Sequence, residues 1–220
     1  MDKDKDRFLP REPAGRISAI RLETSGRVQR AAVYVDDRLA AYALPSEVRG
    51  LTAGEMVHGE QLRKLQEHYE RGAYLQAIRF LGRRDRSVQE VRQHLQAKGW
   101  DEPARERAVN RLRHERLLED KGFAQKWVDY RIRTAPRSRR MMIRELEQKG
   151  VARETIHEVL AAVDESALAL ACAQKKIRQW QRYAADERRQ RITVFLQRKG
   201  FPYGLCRETA RKMADDGQGD

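Results

Sequence analysis

Arginine is the residue type whose spacing most suggests chemistry in this 220-residue chain. Arg131, Arg133, Arg137, Arg139 and Arg140 fall close together with no acidic residue between them, and Arg144 lies one helical turn beyond Arg140. Arg83, Arg84 and Arg86 form a second group. Arg188, Arg189 and Arg191 form a third, preceded by Lys175, Lys176, Arg178 and Arg182. A guanidinium is a planar fork of donors that fits a carboxylate or a phosphate equally well. The candidate anion-binding residues are therefore Arg83, Arg84, Arg86, Arg133, Arg137, Arg139, Arg140, Arg144, Lys175, Arg178, Arg188 and Arg191. The opposing reading is a solvated face without a partner, which is what most charge runs are. Two features weigh against it. The formal net charge of +13 is carried wholly by residues 71–220, because residues 1–70 balance 12 basic against 12 acidic side chains. The arginine groups also recur at regular intervals. A one-sided, recurrent charge points to an anionic partner, such as nucleic acid, a nucleoprotein or an anionic membrane surface.

Other chemistry finds little support. There is no phosphate-cradling glycine loop and no nucleophile elbow. His58, His68, His94, His114 and His157 are scattered without ligand spacing. Glu115, Glu119 and Asp120 cluster, but the spacing suits a helix start, with Asp120 as its cap, better than a metal site. Cys172 and Cys206 form neither a metal-ligand pair nor a disulfide framework, and read as small buried residues in a reducing, cytoplasmic setting. No stretch approaches the length of a membrane span, and the charged N-terminus lacks a signal-peptide core. Neither an enzyme, a metal nor a cofactor is expected. Trp127, Tyr130, Trp180 and Tyr183 lie near the basic groups, but their helical spacing assigns them to the core rather than to base stacking.

The elements that must position these arginines are helices in a repeat. Lys-Gly occurs at Lys98-Gly99, Lys149-Gly150 and Lys199-Gly200. Leu95, Leu146 and Leu196 stand three residues before each Lys, and Val91, Met142 and Ile192 stand seven before. An apolar residue follows each Gly: Trp100, Val151, Phe201. Leu112, Val163 and Met213 stand fourteen beyond each Lys. In the first repeat Ser87 and Glu90 have the spacing of a capping box. Val91 and Leu95 form the buried stripe, Gly99 stops the helix in the left-handed conformation, and Asp101 can cap the next helix. Leading helices are expected over Tyr74–Arg84, Phe123–Arg133 and Ala167–Tyr183. Each repeat is thus a helix trio, and three trios are expected to stack as an elongated, curved array whose neighbours share apolar faces. Ala152 replaces Asp101, and Arg188 replaces Ser87 and Ser138, so the third repeat should be the most irregular.

Ahead of the repeats the texture is that of strands. Runs at Ile17–Glu23, Val28–Val35 and Leu39–Leu44, separated by turn signals at 24–26 and Asp36-Asp37, predict a small antiparallel meander. A short helix near Ser46–Arg49 follows. The expected organisation is a disordered tail at 1–14, a β-rich module at 15–70, helical repeats at 71–120, 121–164 and 165–214, and a second disordered tail at 215–220. The fold class is mainly α. With no coiled-coil seam, a monomer is expected.

Several of these segments resemble the RecX family of recombination regulators. The first is Ala77-Ile-Arg-Phe-Leu-Gly-Arg-Arg-Asp-Arg-Ser87-Val-Gln-Glu90-Val-Arg92 through Leu95 and Lys98-Gly99. The second is Leu117-Leu118-Glu119-Asp120-Lys-Gly-Phe123-Ala124. The third is Pro136-Arg-Ser-Arg-Arg140 through Ile143-Arg144-Glu145-Leu146 and Lys149-Gly150-Val151. The resemblance covers residues 73–214. It departs from the family pattern at Arg133-Thr134-Ala135-Pro136, where Gly-x-Gly-Pro is frequent, at Gly122 in place of a frequent Arg, and at Val91 in place of Leu. The resemblance implies tandem three-helix repeats and a non-enzymatic protein. It implies binding to the RecA recombinase and the RecA–DNA filament, with inhibition of ATP hydrolysis, strand exchange and filament growth. Arg84, Arg86, Arg137, Arg140 and Arg144 are the foremost candidate contacts. The alternative is a basic helical-repeat protein that binds DNA or RNA without RecA, as a transcription factor or a nucleic-acid chaperone.

Overall fold

The structure is a computed structural model in which residues 15–215 are described. The expected tail at 1–14 and residues 216–220 of the expected tail at 215–220 lie outside the described residues; Asp215, placed in that tail by the sequence, closes the last helix instead. The chain divides into two compact bodies between Leu118 and Glu119.

The first body begins with an antiparallel sheet of β1 (Gly15–Ser25), β2 (Val28–Val35), β3 (Arg38–Ala43) and β4 (Met56–Val57), in the order β3-β2-β1-β4. The three longer strands are the expected meander. The turn between β1 and β2 is Gly26-Arg27 rather than 24–26, because Ser25 already pairs with Val28. Asp36 and Asp37 both take positive φ, 48° and 63°, as a tight two-residue hairpin turn requires. β4 escapes the sequence pattern because two residues show no alternation. The short helix is a single 3-10 turn, Pro45–Glu47. One face of the sheet buries Ala31, Val33, Ala41 and Ala43 together with Leu62 and Leu65.

Those two leucines belong to α1 (Gly59–Leu81), a 23-residue helix that runs straight through position 70/71. The expected module boundary therefore falls inside a helix, and the expected leading helix at Tyr74–Arg84 is the second half of a longer one. The physical reason is a change of partner along one amphipathic stripe. Leu62 and Leu65 cover the sheet, whereas Tyr69, Ala73 and Ala77 pack with Val91, Leu95 and Leu112 in the core of the first repeat. That repeat is completed by α2 (Val88–Lys98) and α3 (Glu102–His114).

The second body holds two further helix trios. One is α4 (Asp120–Thr134), α5 (Arg139–Gln148) and α6 (Arg153–Leu160). The other is α7 (Glu165–Trp180), α8 (Ala185–Arg198) and α9 (Tyr203–Asp215). They share one core that includes Phe123, Val128, Met142, Leu146, Ile192, Leu196 and Cys206. Cys172 lies in the same core, and burial pushes both thiols up from their ordinary pKa.

The repeated residues do the same work in each trio. Val91, Met142 and Ile192, and Leu95, Leu146 and Leu196, are fully buried. Gly99, Gly150 and Gly200 all have positive φ, and Trp100, Val151 and Phe201 fold back into the core. Caps differ. Ser87 and Glu90 form the capping box, and the Ser138 hydroxyl accepts from the Met141 N–H. Asp101 stands at the N-cap of α3 but makes no side-chain cap bond. The cap of α4 is Glu119, also without a side-chain bond, and Asp120 is already the first helical residue, which corrects the expected role of Asp120. In the third repeat α8 begins three residues before Arg188, so that repeat is indeed the irregular one.

The sheet meets the first repeat at its Lys-Gly corner. The Arg27 N–H donates to the Lys98 carbonyl at 2.8 Å. A Cβ on Gly99 would lie 1.5 Å from the Ser25 carbonyl oxygen. Gly54 also has positive φ, +92°, but faces open space. The two positions separate backbone strain from contact. Gly54→Ala should cost about 1–2 kcal/mol for the left-handed backbone alone. Gly99→Ala should cost more than about 3 kcal/mol, because the hairpin must also move. Urea unfolding of the two variants beside the parent chain measures both.

Candidate anion-binding interface

α5 presents the simplest basic face. Met142 and Leu146 are buried on one side, and Arg140 and Arg144, one turn apart, are exposed on the other. Arg83, Arg140, Arg144 and Arg178 are all exposed and make no ion pair among the described residues. These are the predicted arginines with free guanidinium forks. Arg133 is exposed, and its guanidinium donates to the Asp129 carbonyl at 3.4 Å. Arg139 is half-buried; its backbone N–H donates to Glu165 at 3.0 Å.

The other predicted residues are engaged by contacts within the protein, although Arg84, Lys175 and Arg191 stay exposed. Glu145 is a hub, its side chain only 13% exposed. It accepts from the Trp127 indole N–H at 3.1 Å, from Arg131 at 2.7 Å and from Arg137 at 2.9 Å. Arg131 also lies over the Trp127 ring. Arg84 pairs with Glu90 at 2.9 Å, so the capping-box carboxylate serves two partners. The Arg86 guanidinium lies 4.0 Å from the Phe80 ring centre, and Phe80 stacks on His94 at 3.8 Å. Burial, and next the like charge of Arg84, pulls Arg86 below the usual guanidinium value. His94 is likewise lowered, first by burial and then by Lys98. Lys175 donates to the Arg133 and Thr134 carbonyls at 2.9 and 3.1 Å, closing the end of α4. Arg188 reaches the Gln181 and Tyr183 carbonyls, and Arg191 pairs with Glu187 while lying over Tyr183.

A common position lies beneath these contacts. His94, Glu145 and Phe195 each stand four residues before the Lys of their corner, and each meets an aromatic ring of its leading helix. His94 stacks on Phe80, Glu145 accepts from Trp127, and Phe195 meets the edge of Trp180 at 5.3 Å. Chemical class changes from repeat to repeat while the place in the fold does not, so the repeat spacing aligns these residues although residue type does not reveal their shared role.

The aromatic expectation holds for Trp127 and Trp180, which pack against the core, and fails for Tyr130, which is 50% exposed. Tyr130 turns outward because Val128, not Tyr130, carries the buried stripe of α4. Sequence reasoning also missed Arg198 and Lys199. With Arg137, Met141 and Phe195 they line a groove of about 330 Å³ in the second body. The corner motif itself was the available signal, since Lys199 occupies the same place as Lys98 and Lys149.

No group of three His, Cys, Asp or Glu side chains among the described residues could hold a metal. Glu115 instead accepts from Arg111 at 2.9 Å and from the Tyr74 hydroxyl at 2.6 Å. No helix among the described residues is long and apolar enough to cross a membrane.

Three consecutive helix trios, with Arg140 and Arg144 exposed on α5, define a helical-repeat protein with a candidate anion-binding face. Comparison with known proteins gives the family. The models for the first, second and third three-helix domains of RecX match residues 73–112, 120–160 and 164–209. The chain belongs to the RecX family, whose curated members carry the name regulatory protein RecX. It is 30% identical to the one from Pelodictyon phaeoclathratiforme over 68% of this chain and 93% of that protein. It is 31% identical to the one from Bacillus velezensis over 69% of this chain, spanning 56% of that protein. A crystal structure of regulatory protein RecX shares the fold, with a TM-score of 0.59 at 22% identity, covering 92% of this chain and 99% of the other.

The division between held and free arginines has a measurable consequence. Arg137→Ala removes one arm of a mostly buried carboxylate hub and should cost about 1–2 kcal/mol. Glu145→Ala strands both arginines and the indole and should cost about 2–3 kcal/mol. Arg140→Ala and Arg144→Ala, at exposed positions, should stay within about 0.5 kcal/mol of the parent. Thermal and urea unfolding of the four variants gives the ordering.

Proposed function

We propose that this chain is a negative regulator of RecA that binds the RecA–DNA filament and inhibits its ATP hydrolysis, strand exchange and growth. It acts without catalysis of its own, in the cytoplasm, during recombination, DNA repair and the SOS response. The observation that carries the reading is the pair Arg140 and Arg144, exposed and unpaired on α5 of a RecX-family repeat. Family membership supports the partner, and the exposed guanidinium forks suit acidic protein surface and phosphate alike. In this reading basic side chains bridge neighbouring filament protomers, oppose the motions of ATP turnover and block entry of a second DNA. The β-rich module at 15–70 and the three repeats that follow it act as one protein, with the repeats as the contacting part.

Exposed Tyr130, with Arg133 three residues on, favours a second reading, in which the protein acts on nucleic acid alone. Salt separates the two. Pure phosphate binding weakens log-linearly with salt, by about 0.9 per contacted phosphate on duplex DNA. Inhibition of RecA should persist at salt concentrations where binding to free DNA is lost.

The decisive assay is single-stranded-DNA-dependent RecA ATPase with this protein added below stoichiometry. Inhibition is expected, and the double charge reversal Arg140→Glu with Arg144→Glu should weaken it about tenfold or more while leaving the unfolding curve unchanged. Absence of inhibition by the parent chain refutes the RecA reading. Full inhibition by the double variant removes α5 as the contact face.

A further inference from the structure

Among the described residues, part of the β1 edge has no strand partner. β1 pairs with β2 from Ile17 to Ser25, but with β4 only at Gly15 and Arg16. Just beyond, the 54–55 loop uses Ile17, whose N–H donates to the Glu55 carbonyl and whose carbonyl accepts from the Gly54 N–H. From Ile20 to Thr24 the far side of β1 has no strand partner among the described residues. The opposite margin of the sheet is treated differently: the Tyr42 N–H of β3 is taken up by the Gln66 side chain at 2.8 Å.

Antiparallel pairing fixes which groups face the open side. Ser25 and Val28 flank a two-residue turn, so they form a hydrogen-bonded pair. Alternation then points the N–H and C=O groups of Glu23 and Arg21 at β2. It points those of Thr24, Leu22 and Ile20 outward. Leu22 lies on the same face as Ile20, Ala31 and Val33, which pack in the core, yet it is 72% exposed. An apolar side chain on an unpaired edge is the arrangement that proteins usually suppress.

The edge is complementary to itself. If two β1 strands run antiparallel about a two-fold axis at Leu22, Leu22 meets its own copy and Ile20 meets Thr24. Every outward N–H and C=O of these residues then finds a partner. Arg21 of one chain falls opposite Glu23 of the other, twice, in the closer, non-hydrogen-bonded positions. Other centres fail. A centre at Ile20 runs the partner into the register shift at Ile17–Ala19 and the β4 pairing, and a centre at Thr24 runs it into the turn at Gly26-Arg27. A two-fold interface requires such a self-matching patch, and the sequence Ile20-Arg21-Leu22-Glu23-Thr24 provides it.

We propose that a second copy of this chain occupies the open edge, joining two β1 strands antiparallel at Leu22 into one sheet that runs through a homodimer. This revises the expected monomer, which rested on the lack of a coiled-coil seam, and it does not depend on the RecA reading. A contact of five residues per strand is well below the ~1,200–2,000 Å² of a standard interface, so the dimer is of modest affinity, with Kd about 10–100 μM.

Sedimentation velocity on the full chain, from about 5 to 500 μM, reads the equilibrium directly. A concentration-dependent shift from monomer to dimer is expected. Leu22→Pro removes an N–H that faces away from β2, so the strand should stay in its sheet while dimerisation is lost. Arg21→Glu places like charges opposite each other and should weaken the dimer at least about tenfold. It also serves as the second variant if the proline disturbs folding, and circular dichroism checks both. A chain that remains monomeric at the highest concentration overturns the proposal, as does a dimer that neither variant weakens.

Discussion

The corner at each Lys-Gly is the constraint from which the rest of the helical part follows. A helix that must end and reverse within two residues needs a left-handed backbone position, and Gly99, Gly150 and Gly200 provide it. The next residue then returns over the helix it has just left. Trp100, Val151 and Phe201 do this, each N–H donating back to Leu95, Leu146 or Leu196. The corner also exposes the carbonyl of the preceding Lys, and the fold uses it as an attachment point. Lys98 receives the Arg27 N–H of the sheet, and Lys199 receives the Ser138 N–H at the start of α5. In both cases the absent Cβ of the glycine is what admits the partner. The site on Gly99 is filled by the Ser25 backbone, and that on Gly200 by the Ser138 and Met141 side chains.

Much of this was legible in the sequence because corner chemistry is nearly unique to glycine. The repeat, its buried stripe and the capping box at Ser87 and Glu90 were readable from spacing alone. The limits of the helices were not. Nothing in residues 59–73 distinguishes a helix that covers a sheet from one that starts a repeat, and α1 does both. Caps at Asp101 and Asp120 were expected from residue type, but a carboxylate caps only if the backbone turns toward it, which spacing does not encode. β4 was invisible because a two-residue strand carries no period.

The candidate site was legible only as a total. Sequence counts cations, while the fold decides which are spent internally. Of the arginines near the corners, Arg84, Arg137 and Arg191 neutralise Glu90, Glu145 and Glu187, and Arg86 lies flat on Phe80. The carboxylates that bind them sit far enough along the chain that the run Arg131–Arg140 looks uncompensated. Glu145 is the acid that balances it, from the next turn of helix. Among the predicted arginines, those left exposed without an ion pair or a side-chain hydrogen bond among the described residues are sparser than a net charge of +13 suggests: Arg83, Arg140, Arg144 and Arg178.

The third repeat shows how the same position changes role when its residue changes class. Ser87 and Ser138 accept from the N–H groups that begin α2 and α5. Arg188 has no acceptor and cannot do this. The middle helix therefore extends by a turn on its N-terminal side, Arg188 lies inside it, and its guanidinium reaches back to the Gln181 and Tyr183 carbonyls. Capping moves from the start of one helix to the end of the previous one, with donor and acceptor exchanged. A cation at this place stabilises the negative end of α7 instead of facing solvent. A residue that aligns with a basic cluster in sequence is thereby drawn into contacts at a helix end, while exposed cations of the third repeat include Arg178 on α7 and Arg198 at its corner.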